Sequence, residues 1–295
     1  MKNKLFRILG ITVLGMAMLT GCASGAGNAA ANAGNVADGS APAKTESSKI
    51  VAVGSTTVAV PMEELANKYK EIEPNVVVEV QGVGSSAGVK AAADGTADIG
   101  MVSRELKDSE QSDDLEVTTI AYDGIAIVVN PANGVENLTS EQVKGIFEGT
   151  ITNWSEVGGA DADIIVVTRE DGSGTRSAFE EILGLQQEID GKKVSSISQG
   201  ALVAEGNGTI KATVASKEGS IGFVSLGFID DTVKAISVND VMPTVETVKN
   251  GEYSVSRPLL VITHKDGTQT TKDFLEFILG DEGQEIVSEK YISVK

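Results

Sequence analysis

The chain has 295 residues, a formal net charge of −18, one cysteine, one histidine and one tryptophan. A lone cysteine excludes a disulfide framework, and one cysteine with one histidine supplies no pair of transition-metal ligands. Strong acidity without a basic stripe interleaved with aromatics excludes nucleic acid as a partner, and it requires any anionic ligand to be held by short-range donors, because the long-range field repels it.

The N-terminal segment sets the expected compartment. Lys2, Lys4 and Arg7 form a basic region, and an apolar stretch over 8–19 follows, too short for a stable membrane span. It ends in Leu19-Thr20-Gly21-Cys22. That is the pattern of a bacterial lipobox, in which small residues fit a narrow peptidase cleft and the thiol takes a diacylglycerol. Residues 1–21 are therefore expected to be a lipoprotein signal peptide, with Cys22 as the lipid-bearing mature N-terminus; an ordinary signal peptide with an incidental cysteine is the alternative. The next stretch, 22–48, is mostly Ala, Gly, Asn and Ser and has too little bulky apolar surface to offset its ordering entropy, so it reads as a flexible tether. About 245 residues remain, enough for one large domain or two smaller ones.

Short β-rich runs then alternate with amphipathic stretches, which predicts α/β layers. Strands are expected over 50–54, 75–80, 97–103, 124–130, 164–169, 220–224 and 257–263. Pro61 is expected to open the first helix, with Met62, Leu65, Ala66, Tyr69 and Ile72 on one face. A small-residue helix follows to Ala93. Thr139 caps another that points Val143, Ile146 and Phe147 inward. Further helices are expected from Thr175, over 209–217, and at 271–279 and 282–290.

Three strand-to-helix junctions are built from Gly, Ser and Thr: Gly54-Ser55-Thr56-Thr57, Gly82-Val83-Gly84-Ser85-Ser86 and Asp171-Gly172-Ser173-Gly174-Thr175. In open α/β sheets ligands bind beyond the carboxyl ends of strands, where such loops meet helix N-termini. A helix N-terminus offers unpaired N–H groups and a partial positive charge, so anions sit there readily. Glycine lets the backbone come close, and hydroxyls add donors that rotate to fit. Three such loops converging would surround a tetrahedral oxyanion. Arg169 would add a planar two-pronged donor, with Asp171 as a candidate partner to hold it.

Other readings of these residues are weaker. Gly82-x-Gly84-x-x-Ala87 with Glu105 downstream matches a loose dinucleotide fingerprint, but it does not follow the first strand and the expected export disfavours a nicotinamide cofactor. No Walker sequence occurs, Gly172-Ser173-Gly174 is not a spaced nucleophile elbow, and the one histidine, His264, reads as an exposed strand end. Trp154 reads as a core anchor for its loop.

Nearly the whole mature chain resembles the phosphate-binding proteins of bacterial ABC-type phosphate importers. The matching pieces are Gly54-Ser-Thr-Thr57, Gln81-Gly-Val-Gly-Ser-Ser86, Ala97-Asp-Ile-Gly100, Ile151-Thr-Asn-Trp154, Arg169-Glu-Asp-Gly-Ser-Gly-Thr175 and Ser256-Arg-Pro-Leu259. The resemblance implies the two-lobed type II periplasmic-binding-protein fold, with two chain crossings at the hinge, near 123–126 and 224–227. Lobe one would hold 49–125 and 226–295, and lobe two 126–225. It implies phosphate held by Thr56 and Thr57 from the first loop, Ser85 from the second, and Ser173, Gly174 and Thr175 from the third, with Arg169 as the charged donor. Some members of the family have an aspartate after the third strand that accepts the protonated phosphate oxygen; Ser103 stands there in this chain, followed by Arg104. Ser103 can accept or donate, Asp171 is a second candidate acceptor, and Arg104 is either a second cation at the site or a surface residue.

The implied protein is a monomeric, non-enzymatic capture protein without a cofactor, lipid-anchored at the outer face of the cytoplasmic membrane (in a periplasm where an outer membrane exists). It would deliver inorganic phosphate to the membrane subunits of an ABC-type importer. Sulfate, molybdate or another tetrahedral oxyanion is the alternative ligand, and a phosphate-hydrolysing or adhesion protein on the same scaffold the alternative class.

Overall fold

The computed structural model describes residues 47–295; the expected signal peptide, Cys22 and nearly all of the tether lie outside the described residues. In chain order the elements are β1 (Ser48–Gly54), α1 (Thr56–Ile72), β2 (Val76–Gly82), α2 (Ser85–Ala93), β3 (Ile99–Val102), β4 (Leu115–Val129), β5 (Asn137–Leu138), α3 (Ser140–Glu148), β6 (Ile165–Arg169) and α4 (Gly174–Ile182). They continue with β7 (Gln186–Ile189), β8 (Lys192–Ser195), β9 (Leu202–Ala204), α5 (Gly206–Ser216), β10 (Ser220–Ser225), β11 (Lys234–Ala235), β12 (Ser237–Val238), α6 (Val245–Lys249), β13 (Ser256–His264), α7 (Gln269–Leu279), α8 (Asp281–Ser288) and β14 (Ile292–Ser293). Among the described residues no helix is long and apolar enough to cross a membrane.

The main sheet runs β2-β1-β3-β13-β4-β10-β6-β9. β1 is parallel to β2 and β3, β13 is antiparallel to β3 and β4, and β10 is antiparallel to β4 but parallel to β6. β4 is the strand common to both halves. Its first part, to Gly124, pairs with β13, and from Ile125 it pairs with β10. The chain returns at the neighbouring point, where Ile125 N–H donates to the Val255 carbonyl (2.8 Å) and Ser256 pairs with Gly124.

Each half has a main core with a smaller hydrophobic cluster beside it. One packs Ile50, Met62, Leu65, Ile99, Met101, Val261 and Phe274 beneath α1 and α7. The other packs Ile127, Val143, Phe147, Trp154, Phe179 and Phe223, with the Phe179 and Phe223 rings stacked at 4.0 Å between centroids. Val233, Ile236, Val238, Val248, Tyr253 and Val255 have their side chains in or beside this second core. The stretch 233–255 thus packs with the middle of the chain, whereas the sequence reading grouped it with 256–295. Its strands are two residues long and carry no hydrophobic period, so nothing local announced which core they join.

Trp154 is buried, and its indole N–H donates to the Gly219 carbonyl (2.9 Å), which fixes its loop as expected. The first helix differs from expectation. It begins at Thr56, directly after the Ser55 cap, and Pro61 lies inside it. A proline there supplies no N–H to the carbonyl four residues back, Thr57. The Tyr291 hydroxyl reaches that carbonyl from α8's end (3.3 Å) and takes the place of the missing donor. Burial pushes the Tyr291 hydroxyl's pKa up, so it stays a donor.

Candidate functional site

The three Gly/Ser/Thr loops meet at the carboxyl ends of β1, β2 and β6. Ser55 ends β1's loop and caps α1, its hydroxyl accepting from the N–H groups of Thr57 (3.1 Å) and Val58 (3.3 Å). Gly54 has φ +143°, and a side chain there would collide with the Met101 backbone, so only glycine permits this approach of β1's end to β3. The second and third loops are joined directly, Ser86 N–H donating to the Gly172 carbonyl (3.1 Å). Ser173 caps α4 by accepting from Arg176 N–H (3.2 Å), and Gly174 lies so close to the second loop that a Cβ there would strike the Ser85 and Ser103 hydroxyls. The first-turn N–H groups of α2 and α4 have no acceptors within their own helices, as at any helix start.

The residues proposed as direct ligand contacts, Thr56, Thr57, Ser85, Ser103, Arg169, Ser173, Gly174 and Thr175, fall in this cluster. Thr57 Oγ1 and Thr175 Oγ1 are 3.3 Å apart, Ser55 Oγ donates to Ser103 Oγ (2.9 Å), and Ser103 N–H donates to Ser85 Oγ (3.1 Å). Thr57, Ser85, Ser103, Ser173 and Thr175 are all buried. Arg169 is 1% exposed and donates from Nη2 to Thr56 Oγ1 (3.3 Å), while its Nη1 is buried without a partner among the described residues.

The partner of Arg169 is not Asp171. Glu170 holds it in two-pronged fashion, at Nε (2.8 Å) and Nη2 (2.7 Å). Burial pushes the Glu170 carboxyl up, but the hydrogen bond and charge of Arg169 outweigh that and hold it below its ordinary value. Asp171 is almost fully exposed and pairs with Arg176 (2.8 Å), so it is also removed as an acceptor for the ligand. Arg104 is neither a surface residue nor a free cation. It is buried, bound at both ends to Glu110 (2.7 and 2.8 Å), and braces the second loop through Ser86 Oγ (3.2 Å).

Three residues to which the sequence reading gave no role complete the cluster. Arg257, at the start of β13, donates from Nη2 to Thr57 Oγ1 (3.1 Å) and from Nη1 to the Ser103 carbonyl (3.1 Å). Its counter-ion is Asp123 on β4, across the strand pair (3.0 Å), which also accepts from Leu226 N–H (3.2 Å). Both are fully buried: desolvation pushes the Asp123 carboxyl up and the Arg257 guanidinium down, each opposed by the other's charge. Asn207, in the first turn of α5, donates from Nδ2 to Thr57 Oγ1 (2.9 Å) and Thr56 Oγ1 (3.3 Å). The one sequence signal was the Ser256-Arg-Pro-Leu259 run; a lone Asn in a glycine-rich helix start carries none.

A buried cluster of hydroxyls, helix starts and a guanidinium, at the seam of two α/β halves sharing β4, defines a substrate-binding protein of the type II periplasmic fold. Residues 36–282 match the family model of the PBP superfamily domain. The phosphate-binding protein PstS of Borreliella burgdorferi is 30% identical over 257 residues, covering 85% of this chain and 92% of that one. PstS of Bacillus subtilis is 29% identical over 99% of this chain and 95% of its own. A Clostridium perfringens structure described as a phosphate ABC transporter substrate-binding protein with bound phosphate superposes with a TM-score of 0.79 at 43% identity, over 84% of this chain and all of that one. An ABC-type phosphate transport receptor from Vibrio cholerae gives 0.71 at 43% identity, over 83% of this chain and 100% of its own. The chain belongs to the PBP superfamily, in the branch that holds the phosphate-binding proteins of ABC transporters.

Proposed function

We propose that the protein captures inorganic phosphate outside the cytoplasm and delivers it to an ABC-type importer. The carrying observation is the convergence of three hydroxyl-bearing loops, with Arg169 reaching the first at Thr56 and its buried Nη1 without a partner among the described residues. A buried donor left without an acceptor costs about 1–3 kcal/mol, more when charged, and an anion between the loops would satisfy it. In this reading Thr56, Thr57, Ser85, Ser103, Arg169, Ser173, Gly174 and Thr175 surround the phosphate.

In this reading one lobe is residues 49–124 with 256–295 and the other 125–255, one residue earlier at the first crossing and about thirty later at the return than expected from the sequence; the packing of Val233 to Val255 with the middle of the chain supports the later return. Ligand touching both lobes favours the closed form by differential contacts, and the importer would read that form. The protein acts as a monomer anchored through lipidated Cys22.

Equilibrium binding of radiolabelled phosphate, with sulfate and molybdate as competitors, tests the assignment. Saturable binding that phosphate displaces and the others do not supports it; preferential displacement by sulfate or molybdate reassigns the ligand, and absence of any oxyanion binding removes the reading.

A further inference from the structure

A hydroxyl has one proton and two lone pairs, so its role at a site is decided by what fills the lone pairs. Thr57 Oγ1 receives Asn207 Nδ2 (2.9 Å) and Arg257 Nη2 (3.1 Å). Thr56 Oγ1 receives Arg169 Nη2 (3.3 Å) and Asn207 Nδ2 (3.3 Å). Both threonines have their acceptor capacity taken up, and each retains only a proton to donate; that of Thr57 has Thr175 Oγ1 within reach (3.3 Å). The serine side is different: Ser173 Oγ receives only Arg176 N–H and keeps a lone pair, and Ser103 Oγ receives Ser55 Oγ while Ser85 Oγ receives Ser103 N–H, with a further 3.4 Å hydrogen bond between these two hydroxyls, so that one of the pair also keeps a lone pair.

The orientation of Asn207 is itself fixed. Its Oδ1 accepts from Ser225 N–H (3.2 Å), so a flipped amide would set donor against donor. Its two Nδ2 protons are both directed to the threonines, and the side chain is wholly buried. Arg257 is held in turn by Asp123 through Nε (3.3 Å) and Nη2 (3.0 Å). Among the described residues, two other buried hydroxyls lack partners, Thr168 and Ser225. Thr168 alternates with Arg169 along β6 and faces the other side of the sheet, and Ser225 lies beside Asp123 and Tyr291.

We infer that Asn207 and Arg257 are positioning residues that make the first loop a donor-only surface, so that proton-free oxygens of the oxyanion face Thr56 and Thr57 and any protonated oxygen faces the serine side. The inference rests on the oxyanion-binding reading above. Asn207 also joins α5 of one lobe to α1 of the other, so its bonds to the threonines form only as the lobes close. Its loss should therefore speed release and leave capture unchanged.

The test is a double-mutant cycle on phosphate affinity, with stopped-flow rates, for Asn207→Ala, Thr57→Val and the pair. Asn207→Ala is expected to weaken phosphate about 10- to 100-fold, through faster dissociation at an unchanged association rate. In the Thr57→Val background the same change should cost at most about twofold, because its main target is gone. Factors that multiply in the double variant, or an Asn207→Ala affinity within about twofold of the parent, overturn the inference. Asn207→Asp provides the isosteric check. Its carboxylate draws the Thr57 proton inward and frees a lone pair toward the ligand, so affinity should fall at pH 8 and recover relative to the parent as the pH drops toward 6 and phosphate gains a proton; a constant ratio across that range also overturns it. Failure of the parent protein to bind any tetrahedral oxyanion would instead refute the functional reading itself.

Discussion

Arg169→Ala is the most informative single perturbation of the proposed site. The guanidinium is 1% exposed, is doubly bonded to Glu170, touches Thr56 and keeps Nη1 free. Truncating one member of a buried, hydrogen-bonded charge pair costs about 2–5 kcal/mol, and a tenfold change in affinity corresponds to about 1.4 kcal/mol. A phosphate affinity loss of roughly 30- to 4,000-fold follows. Part of that loss would come from Glu170, left as an uncompensated carboxylate beside the anion. Adding Glu170→Gln removes this repulsion. If Arg169 holds the ligand, the double variant regains only part of the affinity; if Arg169 merely neutralises Glu170, it regains all of it. Isothermal titration of the four proteins, with thermal melts to establish folding, separates the cases. Full recovery in the double variant, or a loss under about 1 kcal/mol in Arg169→Ala, refutes the role assigned to Nη1.

Gly174→Ala tests how closely the loops approach. The position is the first of α4 and its φ is not left-handed, so the backbone itself accepts alanine, and a fall in melting temperature, about 1–3 kcal/mol of stability, would come from overpacking at the seam. The added methyl would strike Ser85 and Ser103 across the seam, and affinity should fall about 10- to 100-fold by overpacking alone; unchanged affinity would show that the loops do not approach this closely when ligand is bound. Glu110 and Glu170 are both held below the ordinary glutamate value of 4.5 by their arginines, against the opposing push of burial. Depressed carboxyls stabilise the fold above their unfolded value and lose that contribution as pH falls through their folded values. Melting temperature should therefore drop as pH descends below about 4.5, and the slope should flatten in Glu110→Gln and Glu170→Gln; slopes equal to the parent's contradict the pairing. Raising salt from 0.05 to 0.5 M should weaken phosphate only slightly, about threefold or less, because the donors are buried and little screened; a steep loss in titrations at constant pH would mean that exposed charge holds the ligand.

The parts of the site that were legible in the sequence are those whose chemistry is local. A strand followed by Gly-Ser-Thr or Gly-Ser-Gly-Thr and an apolar helical period names a helix start, and all three loops were found that way. Arg169 was found because it ends the strand that feeds one of them. Its counter-ion was not, because Glu170 and Asp171 are both within reach in sequence and only the turn at Gly172, with φ +85°, decides which points inward. Arg257, Asp123 and Asn207 come from three distant segments and carry no pattern until β4, β13 and α5 are placed. The fold shows the same divide. The end of β4 was evident as a run apolar on both faces, Ile125 to Val129. Its first part, from Leu115, was not among the expected strands: Glu116 and Val117 are both exposed and Thr118 and Thr119 both half-buried, so no clean period of two marks it. Pro61 misled for a further reason: proline usually marks the first turn of a helix, and here a tyrosine more than two hundred residues away supplies the donor that makes it tolerable inside.

A chain with a formal charge of −18 must still bring an anion to rest, and the way its cations are paired shows how it can. Arg104, Arg169 and Arg257 all converge on the loops, and each carries its own carboxylate, Glu110, Glu170 and Asp123. Lone buried guanidiniums would be expensive in the free protein, and a net positive pocket would bind any small anion. Paired in this way, they leave the site close to neutral, and what distinguishes a ligand is the directed set of protons around it. Hydroxyls and amides fixed in place need no rearrangement when the ion enters, and inside a dry seam their dipoles act with little screening. Selectivity then depends on where each proton points. On this proposal Asn207 and the Asp123–Arg257 pair, which need not touch the ligand at all, belong to the recognition apparatus as much as the threonines they orient.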